Sequence, residues 1–182
     1  MDSREELDEI ISEPLDDMEM KMYLPDAPLM VYGELSKYKN IEELLPEDKS
    51  CCIILYQDSP NKGHWVIIVR DKDEYLYFDS YGNKIDDPLN WTDLGMRKEL
   101  NQITPFLSKL LEGKPHKYNN KKYQKDDTTK IIATCGRHCI FFALNNRMND
   151  LNLETYKKLM ENLRKKTGMD YDEIVSDYVS VS

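Results

Sequence analysis

The chain has 182 residues, 40% of them hydrophobic, the size and composition of one compact domain with an ordinary core. Asp and Glu total 34 against 25 Lys and Arg, and the resulting net charge of −9 opposes attraction to phosphate backbones, so nucleic acid is not an expected partner. No stretch approaches the roughly 20 consecutive apolar residues of a bilayer span, and the opening MDSREELDEII is acidic where a signal peptide is basic, so neither membrane insertion nor secretion is expected.

The four cysteines, Cys51, Cys52, Cys135 and Cys139, lie in a chain without a secretory signal. They read as reduced thiols of an intracellular protein, one of them free for catalysis, instead of a disulfide scaffold. A single domain over 1–182 is expected, with an N-terminal extension over 1–30 and C-terminal helices over 148–182.

Ser3 followed by Glu6 has capping-box spacing and predicts a short helix running toward Ser12, stopped by Pro14. Pro25 and Pro28 predict an irregular or extended connection through Leu29 to Tyr32. Asn40 with Glu43 repeats the capping signature, and IEELL predicts one or two helical turns ended by Pro46.

The centre changes character. CCIILYQ (51–57), HWVIIVR (64–70) and EYLYFDS (74–80) are apolar or β-branched runs separated by the polar turns DSPNKG and DKDE, which predicts three consecutive strands. Their apolar residues run almost without alternation, the pattern of a sheet covered on both faces by helices.

From Trp91 to Glu112 the spacing of Leu94, Leu100, Ile103, Phe106, Leu107, Leu110 and Leu111 predicts an amphipathic helix, kinked or divided at Pro105 and closed at Gly113. The polar KPHKYNNKKYQKDD predicts a further strand or edge. CGRHCIFFALNNRM then predicts a buried helix starting near Cys135. Asn152 caps a helix through Lys166 closed by Gly168, and Asp170 with Glu173 opens the last one. The expected fold class is α+β, a mixed sheet covered by helices. The lysines Lys114, Lys117, Lys121, Lys122, Lys125 and Lys130 read as a solvated segment.

A thiol nucleophile needs a base, a group that fixes the base, and donors for an oxyanion. Cys135 stands where a helix begins, where the macrodipole favours the thiolate, and Gly136 beside it permits close backbone approach. Among the three histidines, His116 reads as a solvated loop residue. His138 shares a helical face with Cys135 but would have to turn back beside the helix terminus. His64, at a strand start, is the better base. Asp79, at the end of the adjacent strand, lies within reach of it if the two strands pair.

GHWVIIV, then YFDSYG, then a Gln upstream of TCGRHC resembles the adenain and Ulp-type cysteine proteases, above all those of adenoviruses, virophages, polinton-like elements and other large DNA viruses. The resemblance covers about 32–147. It implies His64 as general base, Asp79 as its orienting acid, Cys135 as nucleophile and Gln124, with the Cys135 N–H, as oxyanion donor. Trp65 would line the cleft. It further implies a mixed sheet packed on a central helix that opens with the nucleophile.

Gln124 stands eleven positions before Cys135, farther than is usual in that family, so DDTTKII must bulge out and return the chain to register. Asn119 or Asn120 would be poorer substitutes.

The implied activity is endopeptidase cleavage after a small residue such as Gly. The implied substrates are viral capsid or core precursors, cut during virion maturation in the host cytoplasm or a virus factory and in the virion. A protein substrate and an activating peptide are the expected partners. No cofactor, metal or DNA stimulation is expected. Removal of SUMO or ubiquitin-like tails, acetyl transfer on the same thiol, and an inert interaction module of the same fold are the alternatives. Cys51, Cys52 and Cys139 read as core, Tyr75, Tyr77, Phe78 and Tyr81 as strand packing, and Asp86 and Asp87 as a solvated acidic loop.

Overall fold

A computed structural model describes residues 3–180. Five strands form one mixed sheet in the order β1-β2-β3-β4-β5. Strands β2 (Cys51–Ser59), β3 (Lys62–Asp71) and β4 (Glu74–Phe78) make the expected antiparallel meander. β1 (Leu29–Val31) and β5 (His116–Tyr118) add parallel edges.

Successive side chains of a strand point to opposite faces. Ile53, Leu55, Trp65, Ile67 and Val69 therefore enter one core, and Cys52, Ile54, Tyr56, Val66 and Ile68 enter the other. Both faces are covered, and for that reason the strands read as continuous apolar runs.

Helix α1 (Ser3–Ser12) ends before Pro14 as expected. Helix α2 (Asp17–Tyr23) is an addition to the sequence reading, although its capping box, Asp16 with Glu19, has the same spacing as the boxes recognised elsewhere. The connection after Pro28 is β1 followed by a 3-10 turn at Tyr32–Lys37. Helix α3 (Ile41–Leu44) is capped by Asn40.

The amphipathic pattern after Trp91 does not make one helix. After a 3-10 turn at Asp87–Trp91 it divides, as Pro105 predicts, into α4 (Leu94–Glu99) and α5 (Phe106–Leu110), with Asn101 at φ 55° between them and Pro105 capping α5.

Helix α6 (Cys135–Asn149) crosses the first core. Every residue from Cys135 to Ala143 is buried, and Phe142 stacks on Phe78 of β4 at 4.7 Å. Its buried face takes in Arg137 and His138 as well as apolar residues, so the helix lies inside the fold and not on its surface. Helices α7 (Leu153–Thr167) and α8 (Tyr171–Tyr178), capped by Asn152 and Asp170, close over it. Leu15, Met20 and Leu24 enter the same core, so the N-terminal segment is built into the body of the fold.

Candidate active site

β3 starts to pair with β4 only at Ile67, opposite Phe78, so His64 lies beyond the end of β4. The chain leaves β4 at Phe78 and places Asp79 beside that overhang. A tight turn follows, closed by the Gly82 N–H on the Asp79 carbonyl at 2.8 Å. Gly82 sits at φ 76°, with the Lys121 backbone 2.7 Å from where a Cβ would stand, so this position requires glycine.

His64 Nε2 and Asp79 Oδ1 are 2.8 Å apart, and Asp79 is fully buried. The same carboxylate accepts the Tyr81 N–H at 2.8 Å, while Asn119 accepts the Asp79 N–H at 3.0 Å and donates to its carbonyl at 2.7 Å. Asn119 thus holds Asp79 through its backbone, with both amide hydrogens committed there and to the Lys121 carbonyl. A carboxylate accepts only, so His64 carries its proton on Nε2 and leaves Nδ1 for Cys135.

Cys135 is the first residue of α6, with its thiol against the His64 ring. Burial alone pushes the thiol up. The hydrogen bond and charge of His64, then the backbone N–H groups of Trp65 and Gly136, outweigh it and hold the thiol below its ordinary value. For His64 burial pulls the other way, but the bonds to Asp79 and Cys135 and their charges lift the imidazole to about 10. Both shifts run in the direction of a thiolate–imidazolium pair. Burial raises the other three thiols, Cys51, Cys52 and Cys139.

The thiol opens into a cleft of about 660 Å³ lined by Leu15, His64, Trp65, Tyr81, Trp91 and Gln124 among others. Tyr81 stacks on the His64 ring at 4.9 Å, and Trp91 lies at 5.5 Å from it. The sequence reads Tyr81 as strand packing and Trp91 as the start of an amphipathic helix. A turn aromatic immediately after the candidate acid was the signal for Tyr81; Trp91 offered none, because only the fold of the Asp87–Trp91 turn brings it here.

The N-terminal segment supplies another wall through Pro14, Leu15, Asp16 and Asp17. It also borders Gly136. A Cβ there would meet Met20 Sδ at 3.4 Å, Leu15 Cβ at 3.5 Å and Trp65 Cδ1 at 3.6 Å. Those are ordinary contact distances, so Gly136 borders the protein's own side chains there.

Gln124 reaches the cleft despite its spacing. Its Oε1 accepts the Ser80 hydroxyl at 2.7 Å and its Nε2 donates to the Ile132 carbonyl at 3.1 Å, which fixes the orientation of the amide and leaves one N–H uncommitted. The Tyr123 and Gln124 N–H groups both bond the Ser80 carbonyl, tying this strand-like stretch to the turn after Asp79. The intervening residues 125–131 bulge outward and are exposed.

The chain is 33% identical over 153 residues to the uncharacterized protein V9 of Sputnik virophage, covering 82% of this chain and 84% of that one. The chain belongs to that virophage family. No model of a known protein family matches it. Among solved structures, the ASFV pS273R protease is similar with a TM-score of 0.48 at 11% identity, over 92% of this chain and 67% of that one. ChlaDub1 from Chlamydia trachomatis is similar with a TM-score of 0.35 at 17% identity, over 98% and 76%.

Elsewhere in this V9-family chain the side chains take other tasks. His138 is buried, its Nε2 bonded to Asp172 Oδ1 at 2.9 Å, and so is not a rival base for Cys135. Cys139 is fully buried, with its thiol on the Trp65 carbonyl at 3.5 Å, and Cys51 and Cys52 are buried in β2. His116 is exposed on β5.

Asp86 corrects the expectation of a solvated loop. It is buried and accepts the hydroxyls of Tyr32 at 2.7 Å, Tyr56 at 2.9 Å and Ser108 at 2.6 Å, and so anchors the start of the turn that presents Trp91. The lysine-rich segment is matched by acids: Lys114 with Glu42, Lys117 with Glu74, Lys121 with Glu161, Lys122 with Asp126 and Lys125 with Asp170. No group of three or more metal-ligating side chains occurs among the described residues, and no helix there is long and apolar enough to cross a membrane.

Proposed function

We propose that this chain is a cysteine endopeptidase with Cys135 as nucleophile, His64 as base and Asp79 as the residue that orients it. One observation carries the reading: a thiol held below its ordinary pKa at a helix N-terminus, against an imidazole fixed at 2.8 Å by a buried carboxylate, all at the floor of an open cleft.

In the acylation step the Cys135 thiolate adds to the peptide carbonyl carbon, forming a C–S bond and an oxyanion. The oxyanion is received by the Gln124 amide and the Cys135 N–H. As the C–N bond breaks, the His64 proton passes to the departing amine. His64, now neutral, takes a proton from water. The hydroxide adds to the acyl carbon, and collapse breaks the C–S bond and restores the thiolate.

Trp65, Trp91 and Tyr81 leave the reacting carbon a narrow aromatic approach, which favours a small residue such as Gly before the cut. Kinship with a virophage protein favours viral capsid or core precursors as the substrates. The test is co-expression of this chain, wild type or Cys135→Ala, with the structural proteins of its virus. Cleavage after a small residue by the wild type only is expected. Intact precursors with both, alongside rapid alkylation of Cys135, would overturn the precursor assignment.

A further inference from the structure

Residues 125–134 separate Gln124 from Cys135, and a loop of that length does not by itself hold its two ends at a fixed distance. A single carboxylate grips both ends. Asp172, in the first turn of α8, is 2% exposed. Its Oδ2 accepts the backbone N–H of Lys125 at 3.0 Å. Its Oδ1 accepts the Thr134 hydroxyl at 2.6 Å and the His138 ring N–H at 2.9 Å. Lys125 directly follows Gln124 and Thr134 directly precedes Cys135, so each bond acts one residue away from a group of the site.

The bond to Thr134 has a second effect. A threonine at a helix N-cap ordinarily turns its oxygen onto the first backbone N–H groups of the helix. Thr134 occupies the cap position of α6 but makes no such bond; its hydroxyl is committed to Asp172. The unsatisfied N–H groups at that terminus are thereby left without a side-chain cap, at the end of the helix where a substrate carbonyl on Cys135 would develop negative charge.

From this geometry we infer that Asp172 is a positioning residue that assembles the oxyanion site. It holds Gln124 in register with Cys135 and keeps the Thr134 hydroxyl off the start of α6. The inference rests on the hydrolytic reading proposed above.

Two probes separate its effect from that of the thiolate pair. A thiolate displaces iodide from iodoacetamide without forming any oxyanion, whereas a fluorogenic peptide ending in Gly-Gly–aminomethylcoumarin requires one. Asp172→Asn keeps the volume but places an N–H donor where three donors already point. Its alkylation rate and the pH profile of alkylation should match the wild type, while kcat on the coumarin peptide falls by about 10- to 100-fold with little change in KM. Gln124→Ala should show the same split, and the double variant should lose no more than the worse single one, since both act on one donor set.

Thr134→Val, which leaves the Lys125 bond intact, should reproduce a smaller version of the split. It decides the matter if Asp172→Asn fails to fold. Equal losses in alkylation and turnover, or no loss in either, would overturn the role of Asp172 while leaving the protease intact. A wild-type chain that alkylates rapidly yet releases no coumarin would overturn the hydrolytic reading itself, and the role of Asp172 with it.

Discussion

The chain contains two buried Asp–His pairs of nearly the same geometry, on either side of the nucleophile. His64 meets Asp79 at 2.8 Å, and His138 meets Asp172 at 2.9 Å. Each imidazole has one nitrogen fixed by a carboxylate, and what the other nitrogen meets distinguishes them. The His64 ring lines the cleft together with Cys135, whereas His138 Nδ1 is sealed in the core without a partner. An Asp–His contact is therefore no sign of catalysis by itself. The ring must also reach a nucleophile and a space for substrate.

The largest expected effects break the first pair. Cys135→Ala should reduce cleavage to background while thermal melting stays close to wild type, because the side chain lies at the floor of a cleft. His64→Ala should slow turnover by roughly 10²- to 10⁴-fold, the usual range for a general base, and should also slow alkylation of Cys135 at neutral pH by raising its thiol. Asp79→Asn should lower turnover less than His64→Ala does, since the ring remains but loses the partner that fixes its tautomer.

A pH series sharpens the same contrast. His64 is lifted above its ordinary 6.5, so its contribution to stability is fully present below that value and is lost as pH rises through about 10. Cys135 is held below the ordinary thiol value, so its contribution is present above that value and is lost as pH falls through its folded pKa. Alkylation mapped by mass spectrometry should therefore label Cys135 well below pH 8, ahead of Cys51, Cys52 and Cys139, whose thiols burial raises. Uniform labelling of all four would contradict the assigned ion pair.

Breaking the second pair should act on stability. His138→Leu leaves a buried Asp172 oxygen with one partner fewer, at a cost on the order of 1–3 kcal/mol. A lower melting temperature with unchanged alkylation of Cys135 is the expected outcome; loss of thiolate reactivity would make His138 part of the site. The smallest effect is expected at the rim. Trp91→Ala removes an aromatic neighbour of His64, and a contact of that kind is worth about 0.5–1.5 kcal/mol, so KM for the coumarin peptide should rise only a few-fold.

Much of this architecture was legible beforehand. Capping residues Asn40, Asn152 and Asp170 marked helix starts correctly, and the runs from Cys51 to Phe78 marked the meander. These signals are local, since a cap or an alternating strand is written within a few residues. The ordered motifs around His64, Asp79 and Cys135 named residues that the fold does bring together, His64 and Cys135 lining one cleft and Asp79 buried behind His64. The amphipathic stretch after Trp91 breaks into two helices ahead of Phe106, as Pro105 indicated, but both are shorter than its period suggested, because Asn101 at φ 55° ends the first turn-and-a-half.

The sequence by itself determined the three-stranded meander, the helices capped by Asn40, Asn152 and Asp170, that the sheet is covered on both faces, and which thiol opens a helix. Tertiary structure alone decided that Gln124 reaches the cleft across its long loop, that Tyr81 and Trp91 flank His64, and that Asp86 and Asp172 are buried anchors. The division has a physical cause: periodicity and capping record interactions between near neighbours, whereas these side chains meet partners tens of residues away, and a polar residue on a loop looks the same in sequence whether water or a folded chain satisfies it.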